Sequence, residues 1–373
     1  MRKPWGKLTG VRPTKKARKL LAEGVSYENL PKVLPKEYKI SKPKINLLLK
    51  TLDNQEIVCD DNVVDFYVNI PICPTRCQYC SFISAELKEA YKILPDYLNA
   101  LAKEIAEAKK LIKEKNWQVR SVYIGGGTPS VLTAEQLDFL LSKLQFGNIE
   151  FTVECGRPDT ITPEKLEVLK KHNVTRISIN PQTFSQKTLE KIGRQHSIQQ
   201  IFDAFEQTQK LGFDINMDLI AGLSEESFRT FKTSLKTALS LRPENLTVHT
   251  LSVKKGSCLQ GQNVKNGAVK KMVDYAYKKL SKAGYVPYYM YRQKHQLGNL
   301  ENIGYTLPNK QCKFNVDSME ETVSILACGA NAISKFVDHK NQKILRASNA
   351  KFLGDYILRL DELIERKNKI FKN

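Results

Sequence analysis

Three cysteines within eight residues are the strongest chemical signal in this sequence. Cys73, Cys77 and Cys80 follow the spacing C-x3-C-x2-C in the stretch NIPICPTRCQYCSFIS. A structural zinc site takes four ligands, usually as two pairs, whereas Cys59 stands alone upstream and no histidine is near in the chain. Three thiolates on a [4Fe–4S] cluster leave one iron with an open coordination position. The spacing therefore favours a cluster with an open iron over a zinc site.

A disulfide framework is the other interpretation of clustered cysteines. The chain has 373 residues and eight cysteines, and it contains no run of 18 apolar residues. The opening MRKPWGKLTG lacks the apolar stretch of a signal peptide, so we expect a cytoplasmic protein with no membrane insertion. Because the cytoplasm keeps thiols reduced, ligation or burial is expected rather than pairing. Four scattered cysteines are expected to be small buried apolar residues: Cys155, Cys258, Cys312 and Cys328.

The positive charge of the chain is concentrated at its start. The formal net charge is +20, and residues 1–50 carry 14 Lys and Arg against three Glu, a net of +11. Such a segment can neutralise nucleic-acid phosphates, but only 14 of the 59 basic residues are Arg, the residue that phosphate recognition favours. A solvated Lys-rich surface or attraction of a polyanionic small molecule is expected instead.

The elements that must position the cysteines follow a regular alternation. The clearest helix covers residues 95–115, where apolar side chains recur every three or four residues. Strands alternating with helices predict right-handed βαβ units and a parallel sheet, either an open doubly wound sheet or a six-unit partial barrel. The six predicted strands are residues 64–70, 119–125, 149–154, 174–180, 213–220 and 245–252.

Both architectures bind ligands at the carboxyl ends of their strands. The three cysteines follow the first predicted strand, and GGGTP at 125–129 follows the second. Glu154 ends the third strand, Asn180 and Gln182 follow the fourth, and Asp218 is near the end of the fifth. Turn residues are common at strand ends, but five polar or glycine features on one rim favour a functional site.

With the aromatic Tyr79 before its third cysteine, the motif resembles the signature of the radical S-adenosylmethionine (SAM) enzymes. That resemblance implies that the three cysteines hold a [4Fe–4S] cluster and that SAM binds the fourth iron. It also implies a 5′-deoxyadenosyl radical that abstracts a hydrogen atom, with chemistry supplied by the cofactors and position by the protein. A reduced electron donor such as flavodoxin or ferredoxin is the implied partner.

A narrower resemblance covers about residues 5–334. FYVNIPICPTRCQYCSF, GGGTP, FTVECGRPDTIT, RISINPQTF, IGRQHS and INMDLIAGL follow, in order, the pattern of the oxygen-independent coproporphyrinogen III dehydrogenases. GVRPTK and YYMYRQKHQLGNLENIGYT are similar to the HemZ branch of that family. The resemblance implies a partial (β/α)6 TIM-like barrel, a tetrapyrrole substrate, and oxidative decarboxylation of two propionates of coproporphyrinogen III, giving protoporphyrinogen IX in haem biosynthesis.

The resemblance also implies roles for single residues. Tyr67 matches the tyrosine that contacts SAM beside the cluster, and Gln182 matches an amide that contacts SAM. Glu154 and Asp218 match acceptors for ribose hydroxyls or other polar groups of SAM, and Arg194 matches the cation that pairs with its carboxylate. Each residue has a structural alternative, such as a core aromatic or a turn acid. The other implied SAM-binding residues are Tyr79, Gly125, Gly126, Gly127 and Thr128.

Two departures from the family pattern keep other functions open. The decarboxylating branch has C-x-C at its third cysteine, whereas Ser81 and Phe82 follow Cys80, as in haem chaperones of the superfamily. Ile303 stands where that branch has a glutamine that helps to hold a second SAM. The alternatives are a haem chaperone and, from the basic segment alone, an RNA-modifying radical SAM enzyme.

Three regions are expected along the chain. They are a basic segment at 1–62, a radical SAM core at 63–252 and a C-terminal helical substrate cap at 253–373. Core or capping roles are expected for His196 and His249.

Overall fold

The computed structural model describes residues 3–8, 12–81, 85–254, 256–262, 264 and 267–372. The helices in this part of the chain are α1 Pro13–Ala22, α2 Leu30–Tyr38, α3 Lys42–Asp53, α4 Leu87–Ala90, α5 Leu94–Glu114, α6 Ala134–Ser142, α7 Pro163–Lys171, α8 Gln186–Lys191, α9 Ile198–Lys210, α10 Phe228–Leu241, α11 Val269–Lys282, α12 Lys313–Glu320, α13 Leu353–Leu358 and α14 Leu360–Lys372. The strands are β1 Val63–Ile70, β2 Ile72–Cys73, β3 Ala85–Glu86, β4 Gln118–Gly126, β5 Glu150–Glu154, β6 Arg176–Ser178, β7 Asp214–Ala221, β8 Asn245–Thr250, β9 Val286–Tyr291, β10 Asn302–Thr306, β11 Ser324–Cys328, β12 Ile333–Asp338 and β13 Lys343–Ser348.

The six predicted strands lie side by side in chain order. β1, β4, β5, β6, β7 and β8 form consecutive parallel pairs in an 11-stranded sheet, each within two residues of its predicted ends. A doubly wound sheet reverses its strand order partway, whereas this chain crosses the sheet in one direction, as in a barrel. The predicted partial (β/α)6 arrangement is therefore confirmed.

Helix α5 shows how the sequence pattern produces the layer outside the sheet. It begins with a proline at its first turn and Asp96 in that turn, both favourable at a helix amino end. Leu98, Leu101 and Ile105 are buried on one face, and the helix packs against β11, α13 and α14. None of the helices in the described part of the chain combines the length and the apolar character that crossing a bilayer requires.

The region after Val253 extends the sheet at both edges. β11 pairs in parallel with β1 and is followed by antiparallel β12 and β13, while β10 and β9 continue antiparallel from β8. The prediction that this region is helical is therefore wrong in part, since it contains five strands as well as helices. Exposed strand edges leave unpaired backbone groups, and these added strands satisfy them.

The basic amino-terminal segment packs against the C-terminal region. The Trp5 indole donates to Glu301 Oε2 at 2.7 Å, and the Lys44 ammonium pairs with the other oxygen of the same carboxylate. The Thr14 hydroxyl donates to Glu320 at 2.5 Å, and Lys15 pairs with Glu321 at 2.6 Å. Part of the positive charge of this segment is thus neutralised within the molecule.

Candidate active site

A cavity of about 330 Å³ opens at the carboxyl ends of the parallel strands, within the size range of small-molecule sites. Its wall combines the cysteine loop (residues 73–80), the ends of the core strands and residues of the C-terminal region. Tyr67 and Gly125 do not line it. The predicted site residues that do line it are Cys73, Cys77, Tyr79, Cys80, Gly126, Gly127, Thr128, Glu154, Gln182, Arg194 and Asp218.

The first cysteine is held at the end of β2. Cys73 is buried, and its Sγ is 3.2 Å from the Thr128 hydroxyl. Burial raises the pKa of Cys73 to about 12, although the Thr128 hydroxyl and the Arg157 guanidinium act in the opposite direction. Without a cation this thiol is therefore protonated at neutral pH, whereas a bound metal stabilises the thiolate.

The cysteine loop rests on the segment 192–196, which contains the IGRQH sequence. The Gln78 amide donates to the carbonyl of Ile192 at 3.1 Å, and the Thr75 hydroxyl donates to the carbonyl of Gly193 at 3.3 Å. A Cβ at Gly193 would lie 3.3 Å from the carbonyl oxygen of Arg76. The two hydrogen bonds hold the loop against this segment, and the φ of +78° together with the limited space explains the glycine at 193.

The chemistry of the three thiols suits a cluster. All three line one cavity, and none of the chain's eight cysteines, all of which are described, is in a disulfide. Within the described ranges, no three His, Cys, Asp or Glu side chains are placed to share a single metal ion. In a [4Fe–4S] cluster each thiolate binds a different iron, so that finding concerns single ions only.

The glycine-rich loop lies directly beside the cysteines. The amides of Gly127 and Thr128 donate to the carbonyls of Ile70 and Ile72, both at 2.8 Å. A Cβ at Gly127 would lie 2.4 Å from the carbonyl oxygen of Ile72, and Gly126 has a φ of +111°. The glycines thus permit close backbone packing against β2, in addition to the predicted approach to a ligand.

Two carboxyl groups in the cavity differ in their protonation. Burial raises the pKa of Glu154 to about 7 and Asp218 adds to this, while the Tyr123 hydroxyl, which donates at 2.6 Å, acts against it. Burial also opposes ionisation of Asp218, but His249 at 3.4 Å and the Asn216 amide at 3.0 Å keep its pKa below the usual value. One acid thus titrates near neutral pH and the other stays ionised.

Unpartnered polar atoms in the wall fit a polar ligand such as SAM. The Gln182 Oε1, the Asn180 Oδ1 and the Arg194 Nε are buried without a hydrogen-bond partner in the described part of the chain. Buried polar groups are normally satisfied, so these atoms indicate groups that a bound molecule would complete. Arg194 is also structural, since its Nη1 donates to the carbonyl of Gly156 at 3.0 Å.

Tyr67 lies in an aromatic cluster behind the cavity. Its ring stacks on Tyr123 and Phe314, with centroids 6.2 and 5.6 Å away, and its hydroxyl donates to Asn69 at 2.8 Å. These contacts are those of a core aromatic, the structural alternative. A direct contact between Tyr67 and SAM stays a prediction.

Several residues of the wall were not predicted. His249 lines the cavity between Asp218 and Tyr291, so its interpretation as a core or capping residue is wrong. Arg157 also lines the cavity, and its position three residues after Glu154 was a usable signal. Of the four scattered cysteines, Cys258 is exposed, which corrects its interpretation as buried. The C-terminal wall residues that the sequence did not reveal are Lys254, Tyr289, Tyr291, Gln293, Asn302, Asn315 and Met319.

Comparison with known proteins shows the family to which the chain belongs. The Radical SAM superfamily model matches residues 67–238. The oxygen-independent coproporphyrinogen-III oxidase-like protein HemZ of Bacillus subtilis is 40% identical over 98% of this chain and 76% of its own length. The heme chaperone HemW of the same organism is 37% identical over 50% of each chain. The structure of coproporphyrinogen III oxidase (HemN) from Escherichia coli has the same fold, with a TM-score of 0.64 and 22% identity over 81% of this chain and 70% of that one. The chain therefore belongs to the radical SAM superfamily, which uses a [4Fe–4S] cluster and SAM, and within it to the HemN-like family that includes HemZ.

Proposed function

We propose that the protein catalyses the oxygen-independent oxidative decarboxylation of coproporphyrinogen III to protoporphyrinogen IX. The observation that carries this proposal is the composition of the cavity, in which the cysteine loop faces a wall built by the C-terminal region. The printed name of the HemZ relative supports the same reaction. The net charge of +20 suits a substrate with four carboxylates.

When bound, the reduced cluster and SAM supply a 5′-deoxyadenosyl radical, which removes a hydrogen atom from a propionate side chain. Each of two propionates then loses carbon dioxide and one electron, which passes to an acceptor, and becomes a vinyl group. The chain's own residues hold and orient the participants. The three cysteines would bind the cluster, Gln182 and Arg194 would bind the methionyl part of SAM, and Glu154 and Asp218 would accept hydrogen bonds from its hydroxyls.

The C-terminal wall has the chemistry to receive a tetrapyrrole. The rings of Tyr289 and Tyr291 are parallel within 5°, with centroids 6.5 Å apart, and offer an aromatic surface to an apolar macrocycle. Lys254 lines the same cavity and provides an ammonium group for a propionate. Gly304 leaves room for Tyr289, since a Cβ there would lie 1.8 Å from its ring.

The test is an anaerobic assay of protein reconstituted with iron and sulfide. Coproporphyrinogen III should stimulate release of 5′-deoxyadenosine and yield a product lacking two carboxyl groups, both measured by mass spectrometry. Cys77→Ala should lose the cluster and both products. Cys328→Ala, a matched change at a buried cysteine that does not line the cavity, should keep them. A fully loaded protein that leaves the substrate unchanged would contradict the proposal.

A haem chaperone is the second candidate, and two observations favour it. Several relatives are named heme chaperone HemW, including the one that is 37% identical. Ile303 stands where the decarboxylating branch has a glutamine that helps to hold a second SAM. It is 1% exposed in the hydrophobic core and does not line the cavity, so it cannot make that contact. A chaperone would bind haem stoichiometrically in the same assay and leave coproporphyrinogen III intact. The RNA-modifying alternative depends on the basic segment, whose charge is partly paired with Glu301 and Glu321.

A further inference from the structure

Arg157 is a fully buried arginine behind the cysteine loop. It follows β5, is 1% exposed, and lines the cavity together with Cys73. Its guanidinium makes a bidentate pair with Asp159, with Nε to Oδ1 at 3.0 Å and Nη2 to Oδ2 at 2.9 Å. A planar fork held in this way has a fixed orientation, which a lysine cannot reproduce.

The remaining nitrogen of this guanidinium, Nη1, reaches the cysteine loop itself. Arg157 Nη1 donates to the Thr75 hydroxyl at 3.0 Å and to the Thr75 carbonyl at 3.4 Å. Thr75 lies between Cys73 and Cys77, and its hydroxyl donates onward to the carbonyl of Gly193. Arg157 thus links the end of β5, the cysteine loop and the segment 192–196.

In this pair the positive charge lies nearer the cavity than the negative charge. Arg157 lines the cavity, whereas Asp159 does not, so the carboxylate lies behind the guanidinium. His196 backs the carboxylate, with Nδ1 3.5 Å from Asp159 Oδ1, and is 0% exposed. The cavity therefore meets the positive end of an ion pair whose guanidinium is buried and whose carboxylate side chain is 20% exposed.

We propose that Arg157 is a positioning residue for the cysteine loop and that its charge raises the reduction potential of the cluster bound there. Reduction adds an electron to a centre that three thiolates already make anionic. A cation fixed nearby in a medium of low dielectric stabilises the reduced state more than the oxidised state. Asp159 has the opposite effect from farther away. The inference depends on the cluster and not on the tetrapyrrole reaction, so the two proposals can fail separately.

The first test is a redox titration of the reconstituted protein without SAM or substrate, in which electron paramagnetic resonance detects the reduced cluster. Arg157→Gln should lower the midpoint potential, and Asp159→Asn should raise it, because each removes one charge of opposite sign. Arg157→Lys, which keeps the charge, should stay closer to wild type than Arg157→Gln. Arg176→Gln is the control. Arg176 is also buried, at 4% exposure, but it is the first residue of β6 and does not line the cavity at the carboxyl ends of the strands.

The second test measures how accessible the thiols of the cysteine loop are in protein that contains no cluster. In iron-free protein, mass spectrometry would follow the alkylation of Cys73 and Cys77 by iodoacetamide. Arg157→Lys should speed alkylation, because it keeps a positive charge near Cys73 but cannot reproduce the planar fork that holds Thr75 and Asp159 together, while Arg176→Gln should not. Shifts of the potential in the same direction for Arg157→Gln and Asp159→Asn, or unchanged alkylation rates, would overturn the inference. If Arg157→Gln fails to hold a cluster, the upward shift in Asp159→Asn and the alkylation rates still decide.

Discussion

Glu154 is a cavity residue whose carboxyl group is only partly ionised at neutral pH. Its pKa is raised to about 7, chiefly by burial. An ionised carboxylate accepts hydrogen bonds from ribose hydroxyls better than a protonated one, so SAM binding should favour the ionised form. Below this pKa, SAM binding must displace a proton from Glu154, which costs free energy. We therefore expect SAM affinity to rise with pH up to about 7 and to level off above it. Anaerobic calorimetric titration between pH 5.5 and 8.5 would measure this profile.

The variant Glu154→Gln should flatten the profile, since it cannot ionise. Glu226→Gln is a matched control, because the pKa of Glu226 is also raised to about 7 by burial but the residue does not line the cavity. The control should keep the profile of the wild type. Equal profiles for wild type and Glu154→Gln would show that this carboxyl group does not bind SAM.

Arg194 tests a second residue-scale assignment. We expect Arg194→Ala to weaken SAM binding by about 1.5–3 kcal/mol, the usual value of a hydrogen bond to a charged group. Arg194 also donates to the carbonyl of Gly156, so part of the change should appear in the free energy of unfolding. Calorimetry and urea denaturation would separate the two effects. The control is Arg229→Ala, at an exposed arginine on α10. An unchanged SAM affinity in Arg194→Ala would show that Arg194 has a structural role only.

At the scale of single elements, β10 shapes the C-terminal wall through one glycine. A Cβ at Gly304 would lie 1.8 Å from Cε1 of Tyr289, so Gly304→Ala should displace that ring from the cavity. Overpacking of this kind costs about 1–3 kcal/mol, which urea denaturation would detect. We expect cluster content and SAM binding to persist while turnover of the tetrapyrrole falls.

The matched change at another glycine is Gly354→Ala on α13, where the nearest atom to a new Cβ is 3.9 Å away. It should keep both stability and turnover, since alanine favours a helix. Full turnover in Gly304→Ala would show that Tyr289 is not part of the substrate wall.

The elements also show what the sequence could and could not predict. The six core strands were predictable because each contains an apolar, β-branched run within six to eight residues, and α5 because apolar side chains recur every three or four residues over 95–115. β9 to β13 gain their stability from pairing at the sheet edges, a tertiary effect that local pattern does not encode. His249 was missed for a related reason, since its contacts with Asp218 and Tyr291 come from two other strands of the sheet, β7 and β9. The cysteine, glycine and acid positions on the rim were predictable because strand order alone places them together.

At the scale of the whole molecule, the amino-terminal segment supports the cavity from outside. Trp5 is 1% exposed and hydrogen-bonds to Glu301, whose own carbonyl accepts from the Thr250 hydroxyl at 2.8 Å. The next residue, Asn302, accepts from the Thr250 amide at 2.7 Å, and both Thr250 and Asn302 line the cavity. The indole of Trp5 is therefore two contacts from the site, although the segment contributes nothing to its surface among the described residues.

This arrangement predicts a stability effect that extends to catalysis. Trp5→Phe keeps the aromatic ring but removes the donor, leaving one oxygen of the buried Glu301 carboxylate without it, so the free energy of unfolding should fall by about 1–3 kcal/mol. In a double-mutant cycle with Glu301→Gln, the two losses should be less than additive, because Glu301→Gln removes the charge that strengthens the hydrogen bond deleted by Trp5→Phe. Trp117→Phe, at a half-buried tryptophan packed on Phe371, is the control, and its loss of stability should add to that of Glu301→Gln.

We expect Trp5→Phe to leave cluster content unchanged and to lower tetrapyrrole turnover, since the wall at Asn302 loses its outer support. Additive losses in the cycle would mean that the amino-terminal segment and the cavity wall are energetically independent.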